Sequence, residues 1–274
     1  MMQPLTQVES VRNAIHRIQG KAKVVHSNFF AAGEELRSWI ERGCMFYMEA
    51  EHALLILRRD RNFSRLYHVA TSPEMLSAEL DSMDRVWDAS NVLVSDLVGR
   101  PEDIDPASRT YREHGFTELR SLCRMTRTSK SPIQEAGDGP EVVFGQSADV
   151  AAIADFLERM LNPYADQIPA TIELQTAVAR KQILIAGGRG TIAGLLFFDS
   201  KGQTAHIRYW YVGENCRNQG IGARLMKTFL SVCRDARRII LWVVSENADA
   251  IAKYSHYGFE REGLVDQIMI RGTP

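Results

Sequence analysis

The sequence predicts an α/β (α+β) fold arranged as two tandem domains, and three observations carry that reading. Strand-sized apolar runs alternate with helix-sized amphipathic runs along the whole chain. A polar segment rich in Gly and Pro, Ser129–Pro132 and Glu135–Pro140, sits almost midway along the 274 residues, as segments between packed bodies tend to. A Y-x-x-x-G-F run occurs once in each half, at Tyr111–Phe116 and Tyr254–Phe259, 143 residues apart. A period this long points to duplicated domains rather than to a solenoid. The domains are therefore expected at 1–130 and 138–274.

The elements follow in order. In the first half, helices are expected over Val8–Ile18 and Glu34–Arg42, then strands over Met45–Glu49, Ala53–Arg58 and Ser64–Ala70. A helix over Pro73–Asp88 and a strand over Asn91–Val98 lead to the first Y-x-x-x-G-F run and an apolar strand after it. The second half opens with a short strand, Glu141–Gly145, and an apolar-periodic helix, Ala148–Leu161, with Asp149 near its start. Three strands come next, Ile183–Ala186, Thr191–Asp199 and Thr204–Val212, punctuated by Gly187–Gly190 and Ser200–Gln203 as an antiparallel meander. From Gly220, Ile221, Leu225 and Phe229 recur every four residues, with Val232 and Cys233 next. Arg224, Lys227 and Arg234 lie off that stripe, so one helical face is apolar. A buried-type strand over Ile239–Ser245, a helix over Ala248–Tyr257 and a strand pair over Glu260–Arg271 close the chain.

Composition narrows the function classes. With 45% hydrophobic and 24% charged residues the chain is an ordinary folded one. The net charge is −1, and the halves to either side of residue 135 carry 18 basic against 19 acidic and 15 against 15 residues. Neither half has the basic excess of a polyanion binder, so no nucleic-acid partner is expected. The four cysteines, 44, 123, 216 and 233, form no C-x-x-C pair and read as free thiols in a reducing cytosol. The first ten residues lack the apolar stretch of a signal peptide. The longest apolar runs, Ile192–Phe198 and Ile239–Val244, are too short to span a bilayer. A soluble, cytoplasmic protein with no membrane partner is the expectation. No His/Cys/Asp cluster has metal-ligand spacing, and no Ser-His-Asp order stands out.

The stretch Tyr209–Gly222 carries the chemistry. A strand ends at Val212, a turn follows, and a helix begins near Gly220 after Arg217-Asn218-Gln219. Two glycines one residue apart, Gly220 and Gly222, let backbone approach a ligand with no Cβ in the way. The first-turn amides of a helix lack intrahelical acceptors and sit at the positive end of its dipole, which suits a phosphate. Taken alone, R-x-x-G-x-G also fits a helix start merely punctuated by glycine.

After the next strand comes Asn247-Ala248-Asp249-Ala250-Ile251-Ala252-Lys253-Tyr254-Ser255-His256-Tyr257-Gly258-Phe259. The two motifs, in this order and spacing, resemble the GNAT superfamily of acyl-CoA-dependent N-acyltransferases. The resemblance covers residues 141–271; over residues 1–127 it rests on element order and the Y-x-x-x-G-F ending. It implies two tandem GNAT-like domains, each a mixed, mostly antiparallel twisted sheet flanked by helices, and acetyl-CoA as co-substrate. By the same resemblance, the backbone of Tyr211 and Val212 would hold the pantetheine arm. Amides of Arg217, Asn218, Gln219, Gly220, Ile221 and Gly222 would hold the pyrophosphate, Asn247 would touch the pantetheine region, and Tyr254 would lie near the thioester sulfur. A phenol there can protonate the departing thiolate. For the general base, His206 lies six residues before Val212, with an ordinary histidine pKa near ~6.5. Glu246 and Glu173 are its competitors, and a packed strand histidine is the structural alternative. Glu214 is read as shaping the turn and Cys216 as a bystander. Tyr164, Tyr209 and Trp210 are open between core and acceptor pocket.

The first half departs at the decisive place. It has Val69-Ala70-Thr71-Ser72-Pro73-Glu74 where the phosphate loop should stand. There is no glycine, Pro73 lacks an amide donor, and Glu74 repels phosphate. Thr71 or Ser72 can cap the helix instead. The first domain thus reads as a copy without the cofactor.

The function expected is transfer of an acetyl group from acetyl-CoA to a primary amine of a small molecule or peptide, by direct attack on the thioester. The alternatives are a non-catalytic acyl-CoA-binding or scaffold protein, or an aminoacyltransferase. The acceptor, the acyl length and the oligomeric state stay open.

Overall fold

Two compact units make up the computed structural model, which describes residues 2–31, 33–87, 91–128, 141–188 and 191–273. The first unit comprises Met1–Leu122 and Gly263–Pro274, and the second Cys123–Glu262. These limits differ from the expected 1–130 and 138–274. Side-chain burial and strand pairing set them, and composition does not report either. Cys123 and Met125 are buried with Leu184, Phe229 and Phe259 of the second unit, while Val265–Arg271 pairs with a strand of the first. The polar segment that suggested the boundary, residues 129–140, lies outside the described residues.

The first unit contains β1 (Gln3–Pro4), α1 (Val8–Gln19), β2 (His26–Ser27), α2 (Gly33–Glu41), β3 (Met45–Glu49), β4 (Ala53–Asp60) and β5 (Phe63–Ala70). It continues through α3 (Pro73–Asp84), β6 (Val92–Gly99), α4 (Pro101–Glu113) and the start of β7 (Thr117–Arg127). Strands β1, β3, β4, β5 and β6 lie side by side in that order, antiparallel except for β5 with β6. The run Ala53-Leu54-Leu55-Ile56-Leu57 is apolar throughout because both faces of β4 are covered. Leu54 and Ile56 pack with Val11, Ile18 and Trp39 of α1 and α2. Ala53, Leu55 and Leu57 pack with Leu76, Leu80 and Tyr111 of α3 and α4. The sequence reading has no helix at α4, where Pro106 lies inside the element. It also ends α3 at Asp88, which is outside the described residues.

The second unit holds β8 (Val142–Phe144), α5 (Val150–Met160), α6 (Thr171–Ala179), β9 (Ile183–Gly188), β10 (Thr191–Lys201) and β11 (Thr204–Val212). Then come α7 (Ile221–Val232), β12 (Arg238–Val244), α8 (Ala248–His256) and β13 (Glu260–Arg271), whose later part belongs to the first unit. The meander β8-β9-β10-β11 is antiparallel and β12 joins it in parallel, giving a mixed sheet. Helices α7 and α8 cover one face and α5 and α6 the other. Residues 260–271 form one long strand rather than the expected pair. Gly263 takes φ +75° within it, and its neighbours continue as strand.

The repeated Y-x-x-x-G-F run has a backbone cause. In each unit the glycine is left-handed just past the helix (Gly115 φ +78°, Gly258 φ +83°). The Phe amide returns to the Tyr carbonyl, Phe116 to Tyr111 at 3.1 Å and Phe259 to Tyr254 at 3.2 Å. This is a Schellman stop, in which the third-last helical residue packs on the second residue past the cap. The rings meet accordingly, with centroids 4.8 Å apart in the first unit and 5.8 Å in the second.

Tyr111 is fully buried, and its hydroxyl meets His68 Nδ1 at 3.1 Å. Burial, with His26 nearby, pulls the His68 pKa down to about 3. The unfolded chain protonates this histidine near pH ~6.5 whereas the folded one resists, so lowering the pH from about 6.5 towards 3 favours unfolding. Denaturant melts across that window should show stability falling with acid. His68→Gln should flatten the fall; an unchanged slope would mean that other groups set it.

Candidate functional site

The site begins where two strands part. Strands β11 and β12 pair only from Thr204↔Arg238 to Ile207↔Leu241, yet β11 runs on to Val212 and β12 to Val244. Beyond Leu241 the facing edges diverge and their peptide groups have no ladder between them. Five residues of β11, 208–212, line the gap, roughly 16 Å of strand at ~3.3 Å per residue. On its other edge β11 stays paired with β10 up to Gly194↔Val212, so the open edge is held rigidly.

A bulge at Arg208 aims the side chains along this edge. The register against β10 steps between Phe198↔Ile207 and Phe197↔Tyr209, leaving Arg208 as the extra residue. Ala205 and Ile207 pack beneath α7, but Tyr209 and Tyr211 face the α5–α6 side. Trp210 and Val212 thereby turn back towards α7 and α8. Trp210 lies tilted against Tyr254, centroids 5.4 Å apart, and edge-on to Tyr257 at 6.0 Å. This answers the question left open for Trp210 and Tyr209: both are packed, and the Tyr209 hydroxyl bonds the Gln167 carbonyl.

The turn after Val212 is a single 3₁₀ turn, Glu214–Cys216, followed by extended Arg217. Asn218 takes φ +64° and Gly220 φ +75°. Gly220 is the N-cap of α7 and offers no side chain to the helix end, so the first-turn amides of α7 remain available to an outside acceptor. Nothing lies within 4 Å of where a Gly220 Cβ would stand, so glycine is there for its conformation and for access. Gly222 answers to packing, because its Cβ would meet the Trp210 ring and Val212 at 3.4 Å. Arg217 is more than half exposed and 3.8 Å from Glu214, so it can swing to an incoming anion.

One supporting residue escaped the sequence reading. A Cβ on Gly194, inside β10, would lie 2.8 Å from Ile221 and 3.1 Å from Leu225, with the Tyr211 carbonyl at 3.2 Å. Helix α7 therefore starts against bare backbone, which places its N-terminus over the end of β11. A glycine inside a strand is the signal that could have found it.

The remaining candidates separate. Tyr254 is buried on α8 against Trp210 and Phe259. Burial and the neighbouring Tyr211 hold its phenol pKa well above the usual tyrosine value. Asn247 is the exposed N-cap of α8, its Oδ1 accepting from the Ala250 amide at 3.0 Å. His206 sits opposite Asp199 and Ile240, inside the paired stretch and away from the gap. Burial, aided by Arg208, drops its pKa to about 4. The Glu173 carboxylate accepts from the Ala170 amide at 2.8 Å at the start of α6. Glu246 is exposed beyond the end of β12. Among the described residues, no group of three or more His, Cys, Asp or Glu could hold a metal. Among them too, no helix is long and apolar enough to cross a membrane.

Comparison with known proteins agrees with this geometry. Residues 153–259 match the family model described as the Acetyltransferase (GNAT) family. No curated protein sequence matches the chain. Among solved structures, a GCN5-related N-acetyltransferase from Sphaerobacter thermophilus is similar at TM-score 0.63 and 17% identity, covering 98% of this chain and 95% of that one. A GCN5-related N-acetyltransferase from Kribbella flavida gives TM-score 0.59 at 16% identity, over 83% and 90%. A tandem GNAT protein from the clavulanic acid biosynthesis pathway gives 0.59 at 11% identity, over 100% and 99%. At these identities the likeness is one of fold.

Gly194→Ala should push α7 off the sheet. Overpacking of a tight interior typically costs ~1–3 kcal/mol, so the melting temperature should fall by several degrees. An unchanged melt would show that α7 has room to yield.

Proposed function

We propose that this chain, whose residues 153–259 match the GNAT acetyltransferase family model, is an N-acetyltransferase that uses acetyl-CoA and acts on a primary amine. One observation carries the reading: a gap between parted parallel strands ends at an uncapped helix N-terminus preceded by left-handed Asn218 and Gly220. A pyrophosphate linked to an extended amide-bearing arm has the shape of that site. The amides around Gly220, Ile221 and Gly222, with Arg217 and Asn218 beside them, would hold the pyrophosphate. The stretch of β11 beyond its last pair with β12, at Tyr211 and Val212, would hold the arm. Acetyl-CoA supplies the thioester whose carbonyl carbon the amine attacks.

This chain's residues then manage protons. The C–N bond forms, the C–S bond breaks, and the thiolate needs a proton. Tyr254 reaches pH 7 with its phenolic proton in place, since burial disfavours phenolate. It is the proposed general acid. For the acceptor's proton, the placement of His206 gives the base role little support. An imidazole with a pKa of about 4 is a weak base at neutral pH, and it lies within the paired stretch. Glu173 is engaged as a helix cap. The acceptor amine reaches the gap neutral, one proton already lost to solvent. The second, shed by its nitrogen as the amide forms, restores the Tyr254 phenol after it has protonated the thiolate.

Three outcomes test this. Gly220→Asp places a carboxylate where phosphate should bind, and calorimetric affinity for acetyl-CoA should fall at least a hundredfold with the fold retained, because several charge-assisted hydrogen bonds of ~1.5–3 kcal/mol each are lost together. Unchanged affinity would remove the loop from the site. Tyr254→Phe keeps the ring and removes the proton, so kcat should drop by ~10²–10⁴ with little change in affinity for acetyl-CoA. A single-turnover rate equal to that of the parent would deny the phenol its role. The third concerns pH. His206 stays neutral above about 4, so kcat/KM between pH 5 and 8 should rise with deprotonation of the acceptor alone, and His206→Gln should leave the curve's shape intact. An inflection in that window that disappears in His206→Gln would return the base role to this residue. Thiol release measured over a panel of amines separates the enzyme from a non-catalytic acyl-CoA binder.

A further inference from the structure

The first unit has its own pair of parting strands. Strands β5 and β6 are parallel and pair only from Phe63↔Val92 to Arg65↔Val94, while β5 continues to Ala70 and β6 to Gly99. This repeats the divergence of β11 and β12, with a comparable length of β5 left beyond the last pair. Here the free edge is taken. The short strand β2 lies antiparallel on the end of β5, His26↔Ala70 and Ser27↔Val69.

Asn28, the residue after β2, completes the contact. Its amide donates to the His68 carbonyl at 3.2 Å, and its Oδ1 accepts from the His68 amide at 2.6 Å. Its Nδ2 donates to the Asp96 carbonyl at 3.0 Å and to Ser95 Oγ at 2.9 Å, both on β6, and lies 3.4 Å from the Leu66 carbonyl. Ser95 in turn donates to the Leu66 carbonyl at 2.9 Å. Asn28 and Ser95 are buried, 5% and 1% exposed. One primary amide thus bridges both strands at the point where their own ladder stops.

We infer that residues His26–Asn28 are a built-in occupant of the first unit's strand gap, an extended peptide lying where an acyl-CoA arm would lie in the second. The segment presents main-chain groups to a strand edge and an amide side chain across the gap, the same donors and acceptors a pantetheine arm would offer. The helix beyond is closed as well. Ser72 caps α3, its Oγ accepting from the Met75 amide at 3.3 Å, and Pro73 follows. The first unit therefore binds no acyl-CoA for two independent reasons: its anion site is capped and its arm site is filled. Asn28 is a positioning residue that holds β5 and β6 apart at a fixed distance. The comparison with the second unit rests on the function proposed above; the internal contacts of Asn28 do not.

The test is amide hydrogen exchange on the full chain, with and without acetyl-CoA, alongside calorimetry. In the parent protein, calorimetry should give one acetyl-CoA per chain, and exchange over residues 66–70 and 94–98 should not change on binding. Asn28→Ala removes the Nδ2 donor to the Asp96 carbonyl and Ser95 and the acceptor of the His68 amide, so exchange over 66–70 and 94–98 should rise tenfold or more. Exchange over 54–57 and throughout 204–244 should stay as in the parent. If Asn28→Ala loses protection across the whole first unit, Ser95→Ala decides, since it removes one partner at nearly constant shape and should raise exchange in the same two segments only. Parent-like exchange there in either folded variant would overturn the inference. So would a second acetyl-CoA protecting 66–70. Absence of any acetyl-CoA binding would instead sink the proposed function, leaving the exchange result for Asn28 to stand by itself.

Discussion

Parting two parallel strands leaves a structural debt, because peptide groups that lose their ladder inside a folded unit must find other partners. Each unit contains this divergence, and much of the remaining architecture responds to it. In the first, the chain settles the matter internally with β2 and the Asn28 amide. In the second, β11 runs on through residues 208–212 past its last pair with β12, and its surroundings hold that stretch in place. The β10 pairing fixes the back of the edge, and the Arg208 bulge sends Tyr211 to one side and Trp210 to the other. Gly194 and Gly222 then let α7 come down on the end of the strand. Four features that look unrelated along the chain thereby serve one opening.

The tyrosine of the Y-x-x-x-G-F run shows how one motif serves two ends. In both units it is the residue that packs against the phenylalanine of a Schellman stop, which is reason enough for an aromatic there. What differs is the surroundings of the hydroxyl. Tyr111 delivers its hydroxyl to buried His68 and is a core residue. Tyr254 lies under Trp210, with Tyr211 of the open edge as an electrostatic neighbour. The proposed general acid thus occupies a position that packing alone already requires to be aromatic.

Charge is deployed locally. The net charge of −1 shows no preference for anions, and the proposed phosphate site does not need one. Backbone amides at a helix start supply fixed partial charge at short range, and short range is where hydrogen bonds act. The equivalent position in the first unit is closed by a single serine hydroxyl at Ser72 and a proline. The residues at a helix cap separate the proposed site from a sealed end.

Much of this was legible in the amino-acid sequence. Most of the strand and helix succession, though not α4, and the helix start at Gly220 follow from periodicity and from the few conformations that glycine and proline impose. The loss of the loop at Thr71–Glu74 is legible for the same reason, since caps are local. Other features needed three dimensions. That residues 260–271 form one strand serving two units depends on partners far away in sequence. Simple alternation from Ile207 would have put Tyr211 beneath α7; the bulge reversed it through a register set by β10. Asn28 carries no motif, because its meaning lies in three acceptors some forty to seventy residues away. His206 has the right residue type six positions before Val212, yet burial makes it a weak base. Local rules determine what each segment becomes, and only packing decides which groups are left with something to do.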